Sequence, residues 1–198
     1  MSLAVLIVPA VLWLSLTGLI LLIARDWRLL ISALVIQYVG VFVLISLSWP
    51  LEMAAVKLVT GWMSSAVLGV ALIGTPGDWG DEHVILPTGI VFRFFTALLV
   101  GLGVASIVPQ LEGWWPQVQP IQLWGGMIMM GMGILQLGLT SIPFRTILGL
   151  LTVMSGFEIL YATMEESLLV VGLLAMVNLG LALTGSYILE VPAMEGRE

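Results

Sequence analysis

The sequence predicts an all-α integral membrane protein of about seven transmembrane helices, with the amino terminus outside and the carboxyl terminus cytoplasmic. Three observations predict it. Of 198 residues, 60% are hydrophobic and 9% charged, and the mean hydropathy is +1.16, which leaves too little polar surface to cover a water-soluble domain. The apolar residues fall into seven runs of about 20, the length that the hydrocarbon core demands of a spanning helix. The basic residues gather on one side of the topology those runs imply.

Taken in order, the expected spans are 3–24, 29–48, 51–73, 88–108, 121–140, 144–163 and 168–189. The first is continuously apolar from Leu3 to Val8, whereas a barrel strand would alternate apolar and polar residues, so helices are expected throughout. It has no basic stretch before it and is followed at once by further spans, which argues against a cleaved signal peptide. With the amino terminus outside, Arg25 and Arg28 after the first span, Arg145 after the fifth and Arg197 in the tail all face the cytoplasm, and Arg93 lies near that face. Lys57, inside the third span, is the exception.

Two longer connections separate the spans. Residues 74–87 are turn-rich and acidic, with Asp78, Asp81, Glu82 and His83 on the cytoplasmic side, and residues 109–120 carry Trp114 and Trp115 as an interfacial anchor on the outer side. The organisation read from this is a three-helix unit at 1–73, a connecting region at 74–120, and a second three-helix unit with a short tail at 121–198. Spans 1–3 and 5–7 can be laid over each other as a parallel repeat in which Arg28 corresponds to Arg145.

Composition excludes several functions. A formal net charge of −6 argues against nucleic acid or a polybasic lipid-binding surface. The absence of cysteine and the single histidine, His83, remove disulfides, thiolate metal sites and bis-histidine haem. No nucleotide loop, serine triad or zinc motif is present. No cofactor, metal or catalytic residue is therefore expected. The glycine- and methionine-rich stretch at 125–135 reads as a packing surface.

What remains is a handful of polar side chains inside the bilayer, where an ionisable group costs at least about 2.5–3.5 kcal/mol and so marks a functional candidate. Glu158 is the sharpest, roughly 21 Å from the cytoplasmic end of its span by helical rise. A carboxyl there is balanced between desolvation, which disfavours its charge, and any basic neighbour, which favours it. Lys57, about 9 Å below the outer edge of its span, lies at a similar depth. Pairing with Glu158 and snorkelling to the outer headgroups both fit that position. Arg93, Gln136, Gln37 and Asn178 occupy successive depths on the way to Glu158 and Lys57, so a polar ladder for protons is one reading. For Gln136 and Gln37, hydrogen-bonded glue between helices is the commoner use.

The residues of the last three spans carry a resemblance. Gly138-Leu139-Thr140, Arg145, Ile147-Leu148-Gly149-Leu150-Leu151, Gly156-Phe157-Glu158-Ile159-Leu160 and Leu179-Gly180-Leu181-Ala182-Leu183 resemble the three-helix K-type small membrane subunit of respiratory complex I. With its extra spans, including Arg28 and Gln37, the chain is similar to the E component of group 4 membrane-bound hydrogenases. The resemblance implies a non-catalytic subunit of a complex I-related redox or antiporter assembly in a bacterial cytoplasmic or thylakoid-type membrane. It also implies hydrophobic neighbours, antiporter-like ones among them, and a role for Glu158 in proton translocation. The family's second glutamate falls near Met176 here, with Asn178 close by. A stand-alone small-solute or ion transporter and a structural adaptor of a respiratory or photosynthetic supercomplex remain the alternatives.

Overall fold

The computed structural model describes residues 4–74, 89–116 and 118–195. Among them it contains seven helices and no strand: α1 (Ala4–Ile23), α2 (Trp27–Ile45), α3 (Leu51–Gly74), α4 (Ile90–Trp114), α5 (Pro120–Leu139), α6 (Pro143–Tyr161) and α7 (Leu168–Glu195). Six of these, α2 to α7, are long and apolar enough to cross a membrane, while the corresponding stretch of α1, Pro9–Ile23, is shorter. The acidic connection with Asp78, Asp81, Glu82 and His83 lies outside the described residues, as does Arg197.

The helix ends follow local chemistry. Asp26 caps α2, its carboxylate accepting from the backbone N–H of Arg28 at 2.9 Å. Pro120 and Pro143 open α5 and α6, positions where a missing N–H costs nothing. Two boundaries depart from expectation, the end of α7, which runs on to Glu195 instead of stopping at 189, and the end of α4. The fourth span was expected to stop at 108, but α4 runs on through Pro109 to Trp114, and the N–H of Trp115 bonds to Leu111 O. A proline deletes one backbone donor without forcing the chain out of helix, so Trp114 ends a helix rather than sitting in an outer loop.

Two three-helix layers face each other. Within each, α1–α2–α3 and α5–α6–α7, sequence neighbours pack together, and across the layers α1 lies on α5, α2 on α6 and α3 on α7. Trp49 Nε1 donates to Glu165 O at 2.9 Å, joining the starts of α3 and α7, and Gly185 packs against Leu68 further along, so these two helices run in the same sense. α4 covers the α1/α5 edge and leaves most of its length exposed. The two arginines matched by the repeat have different surroundings: Arg145 is buried, whereas Arg28 is exposed and stacks on Trp27.

The closest approach is between α5 and α6. Gly126 and Gly133 on α5 meet Gly149 and Gly156 on α6, each pair two turns apart on one face. A methyl group added at Gly156 would lie 2.6 Å from Met130 N and 2.7 Å from Gly126 O, and one at Gly133 would lie 2.7 Å from Val153 N. Backbone rests on backbone here, which is how small residues hold helices together without a hydrophobic driving force. This seam sets the position of α6 and hence of Glu158.

Candidate functional site

Glu158 projects from α6 into the space between α3 and α7, one turn before the helix ends. Its Oε2 lies 2.5 Å from Lys57 Nζ, and the two side chains are 4% and 3% exposed. Its Oε1 accepts from Asn178 Nδ2 at 2.6 Å, and the same amide group donates to Leu174 O at 2.9 Å. Lys57 reaches inward: the snorkelling alternative is not the arrangement found. The Tyr38 ring centroid lies 5.0 Å from Nζ, adding a cation–π contact. Tyr38 fits there because Gly61 leaves room for its ring where a side chain would otherwise stand.

The face that carries these groups continues along each helix. On α6, Thr152, Ser155 and Glu158 recur every three residues, and all are buried. On α3, Lys57 and Ser64 lie two turns apart on the buried side. Gln37 Nε2 donates to Thr152 Oγ1 at 3.4 Å, bringing α2 into the same polar column. Asn178 Oδ1, Gln37 Oε1 and Ser64 Oγ are buried with no hydrogen-bond partner among the described residues. Buried polar atoms normally have one, so these three keep unused hydrogen-bonding capacity within the bundle.

The remaining candidates belong to a different place. Arg93 Nη1 donates to Leu22 O at 2.8 Å, the Arg145 guanidinium donates to Ala24 O, and Gln136 Nε2 donates to Arg145 O at 3.1 Å. Both arginines thus serve the last carbonyls of α1, where the helix has run out of its own donors and its dipole is negative. Between this cluster and Thr152 lie Leu34, Leu148 and Leu151, all fully buried. The expected ladder is therefore two separate groups: Lys57, Glu158, Asn178 and Gln37 in one, Arg93 and Gln136 in the other, with an apolar layer between them.

Sequence reasoning overlooked Tyr38, Thr152 and Ser155. The three-residue spacing of Thr152, Ser155 and Glu158 was the available signal, since it places them along one stripe of a helix. Tyr38 gave none, because a tyrosine in an apolar run is ordinary.

Chemically, the site is a buried acid–base pair of zero net charge. Proton transfer between Glu158 and Lys57 would convert the ion pair into two neutral groups without changing the protein's total charge. A charge arriving nearby would favour one form over the other. Asn178 donates to the carboxyl oxygen that Lys57 does not reach, so both oxygens have a partner. Compared with family models, curated proteins and solved structures, the chain matches none of them.

Proposed function

We propose that this chain is a non-catalytic membrane subunit of a complex I-related redox or antiporter assembly, in which the Lys57–Glu158 pair is a switchable element of proton translocation. The observation that carries the reading is the pair itself: two ionisable groups in direct contact at 2.5 Å within an apolar helix bundle. Such pairs are expensive to bury and often no more stable than apolar replacements, so a use beyond packing accounts for one better than stability does. In this reading all seven helices cross the bilayer, in a bacterial cytoplasmic or thylakoid-type membrane. The end bearing Arg25, Arg28, Arg93 and Arg145 faces the cytoplasm, and the amino terminus lies outside. Hydrophobic, antiporter-like subunits pack on the exposed apolar surface and supply the charge movement that biases the pair.

Replacing Glu158 by Gln keeps the shape and removes the charge. The expected outcome is an assembly that still co-purifies but moves fewer protons per turnover in sealed vesicles. Undiminished pumping would take Glu158 out of the mechanism. One observation favours a second reading: both carboxylate oxygens already have partners, in Lys57 and Asn178. A structural adaptor subunit would need no more than that, and it predicts normal pumping in the same variant.

A further inference from the structure

We infer that water and protons reach the Lys57–Glu158 pair from one membrane face only, the face carrying Glu52, Glu165 and Glu166, through a narrow slot between the first turns of α3 and α7. The inference deepens the proposed function by giving the pair a side of access.

Three observations carry it. The pair is close to that face: Lys57 is the seventh residue of α3 and Glu158 is three residues from the end of α6. A cavity of about 10 Å³ reaches both side chains, lined by Trp49, Val56, Val171, Leu174 and Ala175. That is room for about one water molecule beside the pair. Trp49, two residues before α3, and Val171, in the first turn of α7, line the cavity at the glutamate-bearing end. Trp49 is buried against it and held by its bond to Glu165 O.

Away from that face the route closes. Beyond the pair the polar column continues through Ser155, Thr152 and Gln37 and then meets Leu34, Leu68, Leu148 and Leu151, each with no exposed surface. Leu148 is ten residues from Glu158, so at 1.5 Å per residue the apolar layer begins within roughly 15 Å of the pair. A layer of close-packed leucines offers water no hydrogen bonds and little room. The column is a half-path, entered from one side and ending blind.

The chain contains no cysteine, so single-cysteine variants of the full chain report cleanly. Sealed right-side-out and inverted membrane vesicles would be exposed to silver ions, which approach water in size and bind thiolates, and the thiols left free would then be counted with a maleimide after denaturation. Glu52→Cys and Arg28→Cys, both at exposed positions, mark the two faces. Ala175→Cys is expected to be blocked by silver from the Glu52 face and untouched from the Arg28 face. Leu148→Cys and Leu34→Cys, two independent probes of the layer, are expected to stay free from both. Blocking of Ala175→Cys from the Arg28 face, its failure to react from the Glu52 face, or reaction of either layer thiol would overturn the inference. The readout involves no proton movement. Normal pumping by Glu158→Gln alongside the expected silver pattern would therefore remove the functional reading and leave one-sided access in place.

Discussion

Replacing Lys57 by Met would leave the Glu158 carboxylate with Asn178 as its sole polar contact in an apolar bundle. Losing one partner of a buried ion pair costs about 3–5 kcal/mol, mostly as the penalty of the stranded charge. The expected outcome is a clearly lower unfolding midpoint in detergent, followed by thermal denaturation. The double variant Lys57→Met with Glu158→Met removes both charges at similar volume and is expected to recover most of that loss. If it proves as unstable as the single variant, the stranded charge is not the cause. This residue-scale behaviour explains what could be read in advance. Glu158 and Lys57 announce themselves because ionisable groups are costly in hydrocarbon. Their contact does not, since equal depth on two helices leaves rotation and partner choice open.

At the scale of elements, the helices were legible and their neighbours were not. Length and hydropathy place every span within a few residues of its helix, apart from the ends of α4 and α7. Nothing in a run of Leu, Val and Ile says which helix it packs against, because lipid and protein are equally apolar. Glycine is the exception, and the stretch at 125–135 read as a packing surface does form the face of α5 that meets α6. Gly156→Ala is expected to destabilise the protein by about 1–3 kcal/mol through overpacking, since its methyl group would meet backbone atoms that cannot move aside. Gly172→Ala, on α7 with open space around it, is the control and is expected to be near neutral. Chemical denaturation of the two variants in the same detergent makes the comparison. Equal midpoints would mean that the seam tolerates separation.

Across the whole molecule, charge is divided between the two ends. Arg25, Arg28, Arg93 and Arg145 lie at one end, with Asp26 and Glu190 among them, while Glu52, Glu112, Glu165 and Glu166 lie at the other. The positive-inside rule then predicts that the arginine end is cytoplasmic. An impermeant maleimide added to intact cells is expected to label Glu52→Cys and spare Arg28→Cys. The reverse pattern would invert the topology and turn the water slot toward the cytoplasm. The division of charge was visible in the sequence. The split of the polar ladder was not, because it depends on which leucines of three helices, α2, α3 and α6, meet in one layer.

The glycine seam has a mechanical meaning for the acid it positions. With its backbone seated directly on α5, α6 has no side-chain cushion along which to slide or turn, so Glu158 is expected to keep its place when its neighbours shift. α7 rests on α6 through the Ile147 side chain at Gly185, and α3 and α7 are joined to each other at their starts by the Trp49 bond. Under the proposed function, a stroke that parts the two charges is then expected to carry the ammonium away from the carboxylate. A spectroscopic label on α3 should register that displacement while one on α6 stays still.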